Sequence, residues 1–461
     1  MQVSKKKVGD GKLEPGPFLH VEFSDAEENE EVPLLKERQG DVISAHRALL
    51  TLMKGFVGSG CLSLPYAWKQ GGLWVSFALQ IIISSLNWYS NGMLSKASQQ
   101  LAARSGRAAL DYGHLAKKVF DYCPFEPLRR RSKAAMYVIN VTVLIYQIGC
   151  CAVPIVFVST NLNNIVEKHF GVHITNAQYA TILLLPLALA NMIAQMRIMS
   201  WLAVVATLLW AFGTAAMLQE CFQMPTKWAS LPAATDVWST IMFVGTAMYA
   251  YEGQTMILPI ENKLRHPEEF TGNCGVLPTL MILITVFYTA LGFFGYTAYG
   301  ENTLGTLPLN MPDTTLFTVV TVALTIMAFL AHPINLYVVF DMLWNGFKRK
   351  SANRFPRLRN YPLSVDISFR LFWVLLTYLL AVSVPRIEQI ISLVGVTAGS
   401  LCAFTYPTIL EILFCWETWH RDKSAAFLYF KLIFNSSISI MGLALAIVGF
   451  YVNIVEMTKN V

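Results

Sequence analysis

The sequence predicts an all-α, polytopic membrane protein that crosses a bilayer about eleven times. Of its 461 residues, 54% are hydrophobic and only 14% are charged, whereas soluble domains carry about 25% charged residues. Apolar runs of about 20 residues, long enough to cross a hydrocarbon core of roughly 30 Å, recur along the chain. These observations exclude a soluble globular domain and make the lipid bilayer the main solvent of this chain.

The predicted spans follow one another with short polar connections. We expect them at residues 45–67, 72–95, 134–164, 177–195, 198–219, 236–260, 274–299, 314–345, 366–384, 387–415 and 426–455. Runs longer than about 20 residues are accommodated by tilting or by extension beyond the bilayer. Residues 1–44 carry ten acidic and six basic side chains, which is typical of a disordered acidic tail. The transmembrane domain at 45–455 is followed by a short tail at 456–461.

The orientation is predicted from the basic residues in the connections between spans. With the N-terminal tail in the cytoplasm, 20 Lys and Arg side chains fall in cytoplasmic connections and 5 fall on the other side. Such a bias sets membrane topology, and an odd number of spans then places the C-terminal tail on the non-cytoplasmic side. The formal net charge of +6 is spread over short loops, so no nucleic-acid surface is predicted.

The first span contains residues that are poor helix formers. Its segment 53–66 reads MKGFVGSGCLSLPY, with Gly55, Gly58 and Gly60 within six positions and a proline five residues later. Glycine is common where membrane helices approach closely, so helix packing is one explanation. The alternative is an unwound segment that binds a ligand.

A matching interruption occurs five spans later. The segment 251–262 reads YEGQTMILPIEN and places Glu252 and Gly253 inside an apolar run, with Pro259 after them. Interrupted spans at corresponding places in two halves of a chain point to the substrate site of a transporter. The pair of interruptions therefore favours ligand binding over packing.

The chemistry of a broken membrane helix indicates the ligand class. A break frees backbone N–H and C=O groups that lipid cannot satisfy. The helix that restarts near Cys61 presents a positive dipole end that suits a carboxylate, and the freed carbonyls suit an ammonium group. An amino-acid zwitterion fits this description, and another small zwitterion fits equally well. The candidate substrate-binding residues are Gly55, Val57, Gly58, Ser59, Gly60, Tyr251 and Gly253.

The third span supplies two further substrate-binding candidates, Tyr146 and Gln147. An aromatic side chain beside unwound segments can close a binding site over its ligand. The alternative is a buried tyrosine that hydrogen-bonds to a neighbouring helix, and the sequence leaves both open.

Two intramembrane groups are candidates for proton coupling. Acidic residues inside membrane spans often form proton relays, and the alternative for Glu252 is a structural ion pair with Lys54 that ties the two breaks together. His332 interrupts span 8 together with Pro333, and imidazole titrates near neutral pH when unperturbed. The alternative for His332 is a kinked helix with a hydrogen-bonded histidine.

The N-terminal tail carries a sorting pattern. Glu30, Leu34 and Leu35 fit the acidic dileucine signature, which resembles endosomal and lysosomal sorting signals. A sorting adaptor is thus a predicted partner, and the predicted location is a lysosomal, endosomal or plasma membrane. We find no nucleotide-binding glycine motif and no cluster of His, Asp or Cys at one depth. Neither an enzyme, an ATP-driven pump, a metal site nor a cofactor is predicted.

Two long motifs resemble the proton-assisted amino-acid transporter (PAT) family of the amino acid/auxin permease superfamily. They are LMKGFVGSGCLSLPYAWKQGG at 52–72 and YEGQTMILPIENKLRHPEEF at 251–270. Shorter matches are DYGHLA at 111–116, QIGCC at 147–151 and PRIEQIISLVG at 385–395. The resemblance therefore runs from about residue 44 to the end of the chain.

The resemblance implies a five-plus-five inverted repeat, with broken helices 1 and 6 and an extra C-terminal helix. The repeats would cover about 45–219 and 236–415, and the extra helix about 426–455. It also implies transport of small neutral amino acids, such as glycine, alanine and proline, by proton symport, with sodium left open. In that family a histidine linked to proton coupling occupies the position of Thr51 here. A uniporter and an amino-acid-sensing, transporter-like receptor are the alternatives.

Overall fold

Helices make up most of the computed structural model, which describes residues 43–105, 110–172, 174–193, 196–226, 228–251, 253–272, 274–354, 362–384, 386–422 and 424–459. Seventeen α-helices occur within these ranges. They are α1 (Ala45–Phe56), α2 (Leu64–Gly71), α3 (Leu73–Ser105), α4 (Tyr112–Asp121), α5 (Glu126–Arg129), α6 (Ser132–Phe170), α7 (Asn176–Ala190), α8 (Met196–Gln223), α9 (Val237–Ala250), α10 (Gln254–Glu261), α11 (Glu268–Thr271), α12 (Val276–Tyr299), α13 (Thr315–Arg354), α14 (Pro362–Ser383), α15 (Ile387–Val394), α16 (Tyr406–Asp422) and α17 (Ala425–Lys459).

The helices confirm a polytopic, all-α membrane architecture. In the described part of the chain, seven helices are long and apolar enough to cross a membrane, and the bent pair at Ala45–Phe56 and Ser59–Gly71 makes an eighth. Helix α3 is long enough to cross a membrane, but it carries buried polar side chains along one face. Helix α7 is short, and α9 with α10 form an interrupted span. This arrangement is consistent with the eleven predicted spans.

The predicted break in span 1 is confirmed. Helix α1 ends at Phe56, and the chain bends by 50° before the following helical segment. Val57 and Gly58 are both extended, and Ser59–Ser63 form a 3₁₀ turn. Pro65 then occupies the second position of α2, where its missing N–H has no intrahelical acceptor to lose.

The predicted break in span 6 is confirmed as well. Helix α9 ends at Ala250, and α10 begins at Gln254 after Gly253, which has φ of 178° and ψ of −3°. Gly253 also begins the second helix, because its carbonyl accepts hydrogen bonds from Met256 N at 2.9 Å and Ile257 N at 3.2 Å. Each interrupted span is thus a pair of short helices joined by backbone that is not α-helical.

Small residues allow α2 to pack closely between α9 and α12. Gly292 of α12 lies against the Trp68 ring, and Gly295 lies against Pro65, so that a methyl group at either position would overlap its neighbour. Lipid tails are as apolar as leucine, so helix association in a bilayer depends on such close packing. The second half of span 1 is therefore held firmly by its neighbours.

Span 10 contains an irregularity that the sequence did not predict. Between α15 and α16 the helix widens into π-helical turns at Gly395–Gly399 and Leu401–Thr405. Gly395 lies against the backbone of Gly245 in α9. Single π-turns within α-helices are frequent at functional sites, and this one lies beside span 6.

The ends of the transmembrane domain are fastened to its core. Ile43 forms a parallel bridge with Leu264, made by hydrogen bonds from Ile43 N to Lys263 O at 2.9 Å and from Arg265 N to Ile43 O at 3.1 Å. The extra helix α17 packs on span 10, where its Gly449 lies against Val396. The additional C-terminal helix expected from the resemblance is therefore present.

Candidate substrate site

The two helix breaks lie directly against each other. Gly253 faces the ring of Phe56, the last residue of α1, and Gly55 faces the thioether of Met256 in α10. A side chain at either glycine would overlap its neighbour. Residues almost 200 positions apart in sequence are thus brought together, as the pairing of the two interruptions predicts.

Part of the freed backbone is satisfied within the protein. The Tyr288 hydroxyl of α12 donates to the carbonyl oxygen of Phe56 at 2.8 Å, and the Cys61 thiol donates to Gly58 O at 3.1 Å. Sequence reasoning missed Tyr288, because a tyrosine within an apolar helix gives no signal of its partner. The first break is therefore closed on one side by α12.

Gly58 stands out among the glycines of the first break. Its backbone is extended, with φ of −155° and ψ of −170°. A methyl group placed there would meet nothing within 4 Å, whereas one on Gly60 would overlap the Tyr249 ring. Val57 is half-buried, and Ser59 is 5% exposed. Gly58 is thus the point at which the break borders open space.

Tyr251 is directed away from the first break. Its hydroxyl accepts a hydrogen bond from Gln80 Nε2 of α3 at 3.1 Å, and its ring meets that of Tyr288 edge-on at 5.4 Å between centroids. The side chain is fully buried. In this structure Tyr251 links the second break to α3 and α12, and its backbone is the part that borders the break.

Tyr146 and Gln147 lie on α6, which contacts the Ser59–Ser63 turn. The Tyr146 ring packs against Gly399 in the π-helical part of span 10. Gln147 Nε2 donates to the Asn335 carbonyl of α13 at 3.0 Å. The structure therefore places Tyr146 against span 10, and Gln147 joins α6 to α13.

His332 lies in a continuous helix, because α13 passes through Pro333 without a break. The ring is fully buried, with Nδ1 at 3.1 Å from Asn191 Nδ2 and Nε2 at 3.2 Å from Thr377 Oγ1. The same Asn191 amide also donates to Leu187 O, so Nδ1 accepts and Nε2–H donates. Both ring nitrogens of a neutral imidazole are thereby used.

The remaining candidates are only partly described. Lys54 Nζ donates to Ser200 O at the start of α8 at 3.5 Å. Glu252 lies outside the described residues, and so do Glu30, Leu34 and Leu35 of the sorting motif. The proposed pairing of Lys54 with Glu252 and the sorting motif therefore stay predictions.

Two interrupted helices that face each other inside an apolar bundle define an integral, multi-pass membrane transporter. The profile of the family described as "Transmembrane amino acid transporter protein" matches residues 41–455. The chain belongs to this family, whose members are transport proteins and not enzymes. The resemblance found in the two long motifs is thereby confirmed.

Two curated relatives extend over most of the chain. The Caenorhabditis elegans "Probable amino acid transporter skat-1" is 48% identical over 419 residues, which is 90% of this chain and 91% of the relative. The Drosophila melanogaster "Proton-coupled amino acid transporter-like protein pathetic" is 26% identical over 379 residues, covering 81% and 78% of the two chains.

Two solved structures are similar over nearly the full length. The nucleobase-cation-symport-1 family transporter Mhp1, closed around bromovinylhydantoin, shares 10% identity with a TM-score of 0.49 and covers 93% of this chain and 95% of its own. The manganese transporter of Eremococcus coleocola shares 11% identity with a TM-score of 0.45, covering 94% and 99%.

Proposed function

We propose that the protein is a secondary transporter that moves small neutral amino acids by proton-coupled symport. The single observation that carries the proposal is the open space beside Gly58, two residues after Phe56, whose ring lies against Gly253 of the second break. There the backbone of Val57 to Gly60 would bind the carboxylate and ammonium groups. This recognition is common to all amino acids, so it sets the substrate class rather than the side chain.

The walls around the breaks support a small side chain. Phe56, Tyr146, Tyr249 and Tyr251 are all buried and pack closely against neighbouring glycines or rings. A substrate that enters between them meets large aromatic groups on several sides. Glycine, alanine and proline are the amino acids that this crowding favours.

For the coupling ion we propose a proton carried by Glu252, with His332 as a structural residue that stays neutral and hydrogen-bonded. The neutral His332 ring already uses both nitrogens in hydrogen bonds to Asn191 and Thr377, and protonation of Nδ1 would remove the first. In the sequence, Glu252 falls between Tyr251 and Gly253, at the second interruption. The name of the Drosophila relative, which describes proton coupling, agrees with this choice.

Uptake by the purified full chain in liposomes tests the proposal. A panel of amino acids would be offered under an imposed proton gradient, an imposed sodium gradient or neither. We expect accumulation of glycine, alanine or proline that depends on the proton gradient. Binding without net flux would instead indicate a sensor. Flux that depends on neither the proton gradient nor the sodium gradient would indicate a uniporter.

We also propose that the N-terminus is cytoplasmic and that the protein resides in lysosomal or endosomal membranes. The distribution of basic residues supports the orientation, and the motif at Glu30, Leu34 and Leu35 supports sorting by an adaptor. A fluorescent fusion tests the location. If the double substitution Leu34→Ala with Leu35→Ala leaves the compartment unchanged, the motif is not a sorting signal.

A further inference from the structure

Apart from the candidate substrate site, a cavity of about 360 Å³ lies between α3, α12, α16 and α17, away from the helix breaks. Its lining includes Trp88, Tyr89 and Lys96 from α3, Glu411 from α16 and Lys431 from α17. None of these residues belongs to the transport site described above. The extra helix α17 contributes Lys431 to the lining, and α3 contributes most of the remaining residues.

The single carboxylate of the cavity is already engaged. Glu411 receives hydrogen bonds from Lys431 Nζ at 3.4 Å, from the Tyr89 hydroxyl at 3.3 Å and from the Asn435 amide. Asn435 is fully buried, and the Glu411 side chain is only 15% exposed. Among the lining residues, the charge that remains available for a ligand is therefore positive.

The two lysines of the cavity retain hydrogen-bonding capacity. Lys431 Nζ donates to the Tyr89 hydroxyl at 2.8 Å and to Glu411, so one of its three N–H donors is left for a ligand. Lys96 is exposed and lies on the same wall as Trp88, which is 41% exposed. A cavity with this lining suits a phosphate group rather than a cation.

The surroundings of the cavity are those of the membrane interface. Lys96 directly follows the predicted end of span 2, and Lys431 lies about 9 Å from the beginning of α17 at 1.5 Å per residue. Phe430 is 63% exposed and stacks on Phe434, which packs edge-on against Tyr89. An apolar surface for acyl chains thus adjoins the basic cavity.

We propose that this cavity binds the headgroup of an anionic phospholipid, with its phosphate between Lys96 and Lys431. Basic pockets between transmembrane helices on the cytoplasmic side commonly bind such headgroups, and the basic-residue bias places Lys96 on that side. The lipid would join α3 to α16 and α17. Since α3 also holds Tyr251 through Gln80, the bound lipid would support one wall of the second break.

Native mass spectrometry of the purified full chain, titrated with phosphatidylserine or phosphatidylcholine in detergent, tests this proposal. We expect preferential retention of phosphatidylserine. Lys96→Gln should weaken that binding about fivefold, which corresponds to ~1 kcal/mol for one lysine near an anionic headgroup, and Lys96→Arg should restore it. Lys96 forms no part of the buried network around Glu411 that is described above, so this variant is expected to fold.

Lys348→Gln is the matched control, because Lys348 is an exposed lysine on α13 and does not line the cavity. Equal phosphatidylserine binding by wild type and Lys96→Gln would overturn the proposal. An equal loss with Lys348→Gln would also overturn it, since the attraction would then be general. Displacement of the lipid by soluble glycerophosphoserine at equal concentration would refute the assignment to a lipid.

Discussion

Replacing Gly58 by alanine separates a substrate role of the first break from a packing role. The backbone at Gly58 is extended, a conformation that alanine adopts without strain. The new methyl group would meet nothing within 4 Å. A glycine-to-alanine change at such a position typically stabilises a protein by about 0.4–1 kcal/mol through the unfolded state, so we expect normal amounts of folded protein.

Transport should respond differently from folding. If the substrate backbone lies beside Gly58, the methyl group occupies part of its space, and overfilling a packed site costs about 1–3 kcal/mol. At about 1.4 kcal/mol for each tenfold change, the substrate concentration for half-maximal uptake should rise roughly 5- to 150-fold. Because the contact is to the amino-acid backbone, every transported amino acid should be affected.

The assay is the concentration dependence of radiolabelled alanine uptake into liposomes, normalised to folded protein. Gly272→Ala is the matched control, since Gly272 is exposed and extended and its added methyl group would lie 3.5 Å from Glu268 O. Gly60→Ala should instead reduce folded protein, because its methyl group would overlap Tyr249. Wild-type uptake kinetics in Gly58→Ala would refute a substrate position at this break.

Three further changes test other parts of the structure. Tyr288→Phe removes the hydrogen bond to the Phe56 carbonyl and should destabilise the protein by ~1 kcal/mol. Thermal unfolding in detergent would detect this loss. An unchanged melting temperature would contradict a stabilising role of this hydrogen bond. His332→Ala should lower the amount of folded protein but keep the pH profile of uptake. Glu252→Gln should instead flatten that profile. The reverse result would indicate that His332, and not Glu252, carries the proton. Asp111 caps α4. Burial by itself would raise the pKa of the Asp111 carboxyl, but hydrogen bonds and the charge of the nearby His114 imidazole have a larger, opposite effect. The pKa of Asp111 is therefore below its ordinary value of 3.8. Because the folded-state pKa is depressed, the stabilisation is present above pH 3.8 and is lost as the pH falls through the folded-state pKa. The free energies of unfolding of wild type and Asp111→Ala should therefore differ by ~1 kcal/mol at neutral pH, and their melting temperatures should converge in strong acid.

Much of the fold could be predicted from the sequence because its causes are local. An apolar run of sufficient length must form a helix in lipid, which set the spans and their order. The breaks could be predicted as well, since Gly58 and Gly253 adopt backbone that is not helical between short helices and Pro65 lies at the beginning of the second half of span 1. The basic residues of the loops, in the same way, predict an orientation without any knowledge of packing.

The contacts of the site could not be predicted in this way. Tyr288 and Phe56 are 232 positions apart, and Lys431 and Tyr89 are 342 apart. The sequence suggested Tyr251 as a substrate contact, whereas the structure directs its hydroxyl to Gln80. The π-helical part of span 10 could not be predicted from the sequence either.

The sequence by itself therefore determined the class of protein, its all-α polytopic architecture and the positions of both breaks. The tertiary structure decided which side chains satisfy the freed backbone, which glycine borders open space and where a second, basic cavity forms. The physical reason is that lipid-facing and core-facing positions are equally apolar in a membrane helix. Hydropathy consequently gives the length of a span, and only helix packing shows which face meets which neighbour.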